Sequence, residues 1–323
     1  MKKSIKQLLS CVLAAAVILT ASPSLLVAEA LKNPWTQPDA GTDVVCHPGI
    51  LGSDGKYHMH SLIIVASFND VESDRNYNWS NVFWGNGKES LKQYYYTMSH
   101  GTFVLDAVDD ETSHYIEGVN DNAPDRDGDG VVHVKLNENH WDAATVSDDT
   151  MRNTISNAIK AAETFVPFEK YDKDQSGAID TDEMLITVLL AGYEYSARKK
   201  STMTDTTKMS QAHFGQFTAA TVPSVDGKAV NFYLTGAENM KVTANGRVVQ
   251  SSIEMLAHES FHYFGLPDMY SYDKSAALEW ASYRSESLSL MSRPYGVYVD
   301  DMGNPDPDIY SPYSLDPWSK IRL

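Results

Sequence analysis

Two histidines four residues apart, His258 and His262, enclose a glutamate, Glu259. On a helix this spacing places both imidazoles on one face, where they can bind one metal ion while Glu259 faces a water on that ion. Gly265 follows, and its missing Cβ allows a left-handed turn that brings Asp268 back toward the metal. An oxygen of Asp268 would leave the fourth position of a catalytic zinc for water. The spacing therefore predicts one catalytic zinc with these three ligands and Glu259 as the catalytic base.

Other arrangements compete with this zinc site. The histidine pair could be a chance match or two surface histidines with ordinary partners. Glu279, seventeen residues past His262, is the alternative third ligand if a second helix carries it, as in thermolysin-like sites. The region around it has no clear helical periodicity, which favours Asp268 over Glu279. Asp273 is a weaker candidate for the same role.

The reaction expected of such a site is metal-assisted hydrolysis. Zinc acidifies its water and polarises a peptide carbonyl, while Glu259 takes the proton and passes it to the leaving amine. Tyr295 is a candidate for stabilising the oxyanion, because a phenol can hydrogen-bond the developing charge. An extended substrate is expected to pair with an edge strand, to which residues 229–234 would contribute.

A second cation motif lies in the middle of the chain. Residues 172–183 match the twelve-residue calcium loop at its side-chain ligand positions: Asp172, Asp174, Ser176, Asp180 and Glu183. Gly177 allows the sharp bend, Ala178 offers its backbone carbonyl and Ile179 occupies the apolar eighth position. The next residues, 184–191, form an apolar run typical of a strand, so we expect a structural clamp holding one calcium and not a sensor.

A weaker acidic pattern precedes this loop. Asp125, Asp127 and Asp129 repeat its front half, but the twelfth position is Leu136. Both a second calcium site and a solvated acidic turn fit this pattern. Residues 300–308 are also acidic, but their glycine and two prolines favour an exposed loop.

Helices and strands must position these residues. The clearest helix is predicted over 147–165, where apolar residues recur every three or four positions behind the capping candidates Ser147 and Asp148. Further helices are predicted over 88–98 and 251–264, the second ending at Gly265. Strands are predicted over 60–68, 102–108, 184–191 and 229–234. The chain beyond Leu266 is turn-rich and is predicted to be irregular.

The first thirty residues have the layout of a secretory signal, with early lysines, an apolar run and small residues up to Ala28 and Ala30. That run is too interrupted for a full membrane span, so no membrane segment is expected after cleavage near Leu31. The net charge of −17 argues against nucleic acid and suits an extracellular calcium-binding protein. Cys46 would then be the one remaining cysteine, either a lone thiol or a zinc ligand in a latency switch.

Several segments resemble those of the immune inhibitor A family of bacterial secreted metallopeptidases. Residues 258–270, HESFHYFGLPDMY, are similar to that family's active-site motif. Residues 288–292, LSLMS, resemble the methionine turn beneath the zinc in that family and in the wider metzincin group, which implies this role for Met291; an ordinary core methionine is the alternative. Similar segments occur at 94–104, 171–193 and 311–323, so the resemblance covers most of the mature chain.

These features together favour an α+β fold of the zincin type, with a twisted mixed sheet, a backing helix, an active-site helix and an irregular C-terminal subdomain. The expected organisation is a signal peptide at 1–30, a short segment at 31–60 and a catalytic domain at 61–323 that divides near 265. The expected function is that of a secreted, monomeric zinc endopeptidase that cleaves proteins or peptides and is stabilised by calcium. The alternatives are an inactive secreted calcium-dependent binding or adhesion module and a zinc hydrolase of non-peptide bonds.

Overall fold

Three long, largely buried strands lie side by side at the centre of the fold: β2 (Tyr57–Ser67), β6 (Met184–Glu194) and β11 (Phe232–Val242). They pair in the order β2, β6, β11, and both pairings are parallel. The structure is a computed structural model that describes residues 49–87, 90–110, 128–202, 205–251, 253–269 and 289–292, with backbone alone at 198–200, 296–299 and 305–311. Strands that are parallel and central require cover on both faces of the sheet.

Shorter strands extend this sheet to nine of the described strands. Those that pair with β2 are β1 (Ile50–Leu51), β3 (Phe103–Ala107) and β4 (Val131–Lys135). β7 (Met209–Ser210) pairs with β6, whereas β8 (His213–Gln216) and β12 (Val248–Gln250) pair with β11. β1, β8 and β12 are antiparallel to their neighbours, so the sheet is mixed.

Alternate residues of β2 enter two separate hydrophobic cores, because successive side chains of a strand point to opposite faces. Met59, Ile63 and Val65 pack with three helices on one face: α1 (Trp79–Trp84), α2 (Leu91–Met98) and α4 (Ile253–Tyr263). Leu62, Ile64 and Ala66 pack with α3 (Asp148–Ala162) on the other face. The predicted α+β class with a mixed sheet is thus confirmed.

The predicted helices are confirmed, with ends that shift by a few residues. Ser147 caps α3 as predicted, because its Oγ accepts a hydrogen bond from the amide of Thr150 at 3.2 Å. Ser90 caps α2 in the same way, with its Oγ 3.1 Å from the amide of Gln93. The predicted strands 60–68, 102–108 and 184–191 correspond to β2, β3 and β6.

Two predictions of secondary structure were wrong. Residues 229–234 do not form one strand, because the chain leaves β10 (Lys228–Val230) at Asn231 and enters β11 in a different sheet. β10 belongs to a small three-stranded sheet with β5 (Ala178–Ile179) and β9 (Ser224–Val225). The C-terminal part is not wholly irregular, since β13 (Gly296–Val299) and β14 (Pro305–Ser311) form an antiparallel pair that includes part of the expected loop 300–308.

The predicted signal peptide and most of the segment 31–60 lie outside the described residues. The sheet begins at Ile50, so the end of that segment contributes two strands to it. Within the described part of the chain, no helix has the length and apolar character needed to cross a bilayer.

Candidate metal centres

The sequence-predicted zinc ligands meet at the C-terminal end of α4. The Nε2 atoms of His258 and His262 lie 3.0 and 3.2 Å from Oδ1 of Asp268. All three side chains are buried, with between 5 and 7% of each exposed. The two imidazole planes are nearly perpendicular, at 89°. Both Nε2 atoms therefore approach the same carboxylate oxygen.

Each histidine is held by a backbone carbonyl on its other nitrogen. His258 Nδ1 lies 2.8 Å from the carbonyl oxygen of Leu290, and His262 Nδ1 lies 2.7 Å from that of Leu266. A carbonyl can only accept, so in the neutral form each imidazole carries its proton on Nδ1 and presents a lone pair at Nε2. Outer hydrogen bonds of this kind fix the tautomer and orientation of histidines that bind metals.

The spacing of these donors fits a zinc ion. Bonds of 2.0–2.2 Å in a tetrahedral site place neighbouring ligand atoms about 3.3 Å apart. The two nitrogen-to-oxygen distances of 3.0 and 3.2 Å agree with that value. Burial raises the pKa of Asp268, but His258 and His262, when protonated, hydrogen-bond its carboxylate and hold this pKa well below its usual range. The carboxylate is therefore ionised, as a metal ligand must be.

Gly265 turns the chain so that Asp268 can face the helix, as the sequence predicted. Its φ is +81°, in the left-handed region. Its amide bonds the carbonyl of His262 at 2.9 Å, and the amide of Leu266 bonds that of Phe261 at 2.9 Å, which together form the double hydrogen bond of a glycine-terminated helix. The same turn places the Leu266 carbonyl against His262.

Glu259 lies between the helix and an edge of the sheet. Its Oε2 accepts a hydrogen bond from the backbone amide of Phe214 in β8, at 3.1 Å. Burial raises the pKa of Glu259 to about 8, with His258 lowering it and Asp268 raising it. Among the described strands β8 pairs with β11 alone, and this amide points away from that pairing toward α4. Residues 232–235 pair with β8. The prediction that residues 229–234 contribute to an edge strand was therefore wrong, and the strand at this edge is β8.

Met291 is fully buried in the core that also contains α4. Its carbonyl accepts from the amide of Met269 at 2.8 Å, directly after Asp268 in the chain. The neighbouring carbonyl of Leu290 is the one that holds His258. Residues 289–292 therefore support both the helix and the aspartate side of the candidate zinc site.

The predicted calcium ligands form the second cluster of potential metal ligands in the described residues. One oxygen each of Asp172, Asp174 and Glu183 lies within 4.8 Å of the others. Gly177 has a φ of +87° at the sharp bend, and Ile179 is buried as expected of the eighth position. Ser176, Ala178 and Asp180 lie between these acids in the same loop.

Backbone amides organise the acids of this loop. Glu183 accepts from the amides of Lys173 and Asp180 at 2.5 and 3.0 Å, and Asp172 Oδ2 accepts from that of Gly177 at 3.0 Å. Burial and the nearby carboxylates of Asp174 and Asp182 raise the pKa of Asp180. The loop therefore concentrates negative charge that a divalent cation would relieve.

Several predicted residues lie outside the described part of the chain: Cys46, Asp125, Asp127, Asp273, Glu279 and Tyr295. Asp129 is described, and its Oδ1 accepts from the amide of Val131 at 3.0 Å, where it orders the start of β4. The second calcium site, the oxyanion role of Tyr295 and the rival zinc ligands remain predictions.

The sequence did not reveal the backbone groups that support the candidate zinc ligands and Glu259. The carbonyls of Leu266 and Leu290 and the amide of Phe214 hold the predicted site residues, but their own side chains carry no chemical signature. The glycine turn was the one available signal, since it forces the chain to fold back on the helix end.

No protein-family model matches the sequence, and no curated protein matches it. The features of the described residues that bear on function are the two clusters of potential metal ligands and the strand edge beside Glu259.

Proposed function

We propose that this chain is a secreted zinc-dependent endopeptidase that hydrolyses peptide bonds in proteins and is stabilised by calcium. The observation that supports this most is the meeting of His258, His262 and Asp268 at zinc-ligand spacing, with each histidine oriented by a backbone carbonyl. The proposal includes a zincin-type fold, a methionine turn at Met291, and membership of the immune inhibitor A family on the strength of the sequence resemblance.

The reaction assigns distinct roles to the chain's own groups. When bound, zinc would polarise the scissile carbonyl and lower the pKa of the attacking water. Glu259 takes a proton from that water and delivers it to the leaving amine. The amide of Phe214 holds Oε2 of Glu259, so Oε1 is the oxygen that receives the proton. The same amide fixes the carboxylate before substrate arrives, which reduces the cost of ordering it during the reaction.

The edge strand favours a peptide over other hydrolysable substrates. β8 lies against the helix that carries Glu259, and an extended peptide can pair with such an edge through backbone hydrogen bonds. That pairing would place a peptide carbonyl beside the zinc ligands. A non-peptide substrate would make no use of it.

A casein-cleavage assay of the purified protein, supplied with zinc and calcium, tests the proposal. Glu259→Gln should keep its zinc, because Glu259 is not a ligand, yet lose activity by about 10²- to 10⁴-fold as the base is removed. Glu169→Gln is the matched control, since Glu169 is exposed and belongs to neither metal centre. A chelator should abolish cleavage, and added zinc should restore it.

The assay separates the alternatives when zinc content is measured on the same samples. No cleavage by zinc-loaded protein would overturn the peptidase and favour the binding module. Equal cleavage by Glu259→Gln would overturn the role of Glu259.

A further inference from the structure

Lys228 reaches the calcium loop from a distant part of the chain. Its Nζ lies 2.5 Å from Oδ2 of Asp172, the acid at the first ligand position. The Asp172 side chain is fully buried, whereas that of Lys228 is 26% exposed. The ammonium of Lys228 beside Asp172 lowers the pKa of that carboxyl. The positive charge of Lys228 thus already neutralises part of the negative charge of the calcium loop.

The backbone of Lys228 is fixed by several contacts around the turn that presents it. Asp226 and Gly227 both have positive φ, at +49° and +74°, which forms the tight connection between β9 and β10. The Asp226 carboxylate accepts from the amide of Phe168 at 2.8 Å, and its own amide donates to Glu163 at 2.6 Å. These bonds attach the turn to the helical side of the fold.

The loop itself supplies another attachment. The amide of Ala229 donates to the carbonyl of Gly177 at 3.0 Å, and β10 pairs with β5 inside the loop. Lys228 is therefore held next to Asp172 by the fold and not by its ion pair alone.

Lys228 and a calcium ion would use different oxygens of Asp172. Oδ2 accepts from Lys228 and from the amide of Gly177, whereas Oδ1 faces Ser176 Oγ at 3.5 Å, the side chain at the fifth ligand position. The ammonium can stay in place when the metal binds through Oδ1. Its charge then opposes that of the metal at short range.

We propose that Lys228 is a built-in cation that weakens calcium binding and stabilises the loop when calcium is absent. Asp172, Asp174, Asp180 and Glu183 repel one another in the empty loop, and the lysine offsets part of this repulsion. The calcium affinity of such loops depends on the charge of their ligands. Removing the positive charge of Lys228 should therefore tighten calcium binding. This inference rests on the calcium loop of the proposed function and is independent of peptidase activity.

Calorimetric titration with calcium chloride, after treatment with a calcium-selective chelator, tests this on the purified protein. Lys228→Met should lower the Kd for calcium by about tenfold, and Lys228→Arg should stay near the unsubstituted protein because it keeps the charge. Lys170→Met is the control, since Lys170 is exposed and pairs with Asp109 at 3.5 Å instead of a loop ligand. Lys228→Met should also lower the Tm without calcium and increase the gain in Tm on adding it.

The outcomes of this titration test the role of Lys228 separately from calcium binding by the loop. Equal or weaker calcium binding by Lys228→Met, with the unsubstituted protein binding normally, would overturn the role of Lys228 alone. No calcium binding by the unsubstituted protein would overturn the calcium loop, and this inference with it, while leaving zinc-dependent cleavage to be judged by its own assay.

Discussion

The hydroxyl of Tyr263 donates a hydrogen bond to the backbone carbonyl of Met184, 2.5 Å away, in the buried interior. Tyr263 directly follows the proposed zinc ligand His262, and Met184 directly follows the proposed calcium ligand Glu183. The bond therefore joins the residue after one metal centre to the residue after the other. If both proposed sites bind their metals, this bond gives a physical route by which calcium in the loop stabilises the helix that carries the zinc ligands.

Removing this hydroxyl should weaken both stability and the link between the metals. Tyr263→Phe leaves the Met184 carbonyl without this donor and should cost about 1–2 kcal/mol in the free energy of unfolding. We also expect calcium to protect zinc less in this variant, so that zinc loss to a chelator depends less on added calcium. Urea denaturation measures the first effect, and the rate of zinc release with and without calcium measures the second.

Tyr96→Phe is the control for that experiment, because Tyr96 is 41% exposed and lies at neither metal centre. If Tyr263→Phe loses stability but keeps the full calcium effect on zinc release, the bond is structural and carries no coupling.

The third zinc ligand can be identified by metal content. Asp268→Asn keeps the size of the side chain but loses the ionised oxygen that lies 3.0 Å from His258 Nε2. We expect its zinc content, measured by mass spectrometry of the metal, to fall well below one ion per chain. Glu279→Gln should retain a full ion, and the reverse pattern would transfer the ligand role to Glu279.

The meeting of His258, His262 and Asp268 was predictable from sequence because these side chains lie at fixed spacing on one helix and one glycine turn. The same holds for the calcium loop, where each ligand position has its own residue type. Lys228 was not predictable, since a lysine 45 residues beyond Glu183 becomes a neighbour of Asp172 only through the pairing of β5 with β10. The edge strand was misplaced for a similar reason. Periodicity locates a strand, but the strand order that leaves β8 beside Glu259 is a tertiary property.

The position of β8 can be disturbed without substituting a proposed zinc ligand. A Cβ at Gly215 would lie 2.4 Å from Cζ of Tyr233, so Gly215→Ala must displace that ring or the strand. We expect a cost of about 1–3 kcal/mol in stability. Because Phe214 precedes this position, casein cleavage should fall by about tenfold or more while zinc content stays constant.

Gly236→Ala is the matched control in the neighbouring strand β11. A Cβ there would meet its nearest atom at 3.5 Å, an ordinary contact, so both stability and activity should be retained. Unchanged activity in a folded Gly215→Ala variant would show that the geometry of β8 does not set that of Glu259.

Glu238 should make stability depend on pH. It is 1% exposed in β11, and its Oε1 accepts from the amide of Asp74 at 2.6 Å. Burial raises its pKa to about 7, with the Asp74 amide lowering it and the Asp74 carboxylate raising it. In the unfolded chain the pKa is the ordinary value of 4.5. The folded protein therefore holds a proton on Glu238 over a range where the unfolded chain has lost it.

The sign of the effect follows from that difference. Between pH 4.5 and about 7 the folded state binds more protons than the unfolded state, so the free energy of unfolding falls as pH rises. Glu238 should account for a loss of roughly 3 kcal/mol in the free energy of unfolding between pH 4.5 and pH 8.

Glu238→Gln keeps an oxygen for the Asp74 amide but cannot ionise. It should match the unsubstituted protein near pH 4.5 and exceed its stability by up to roughly 3 kcal/mol at pH 8. Urea denaturation at several pH values measures this, with the exposed Glu169→Gln as control. A constant difference between Glu238→Gln and the unsubstituted protein across that range would mean that Glu238 is already ionised in the folded state at low pH.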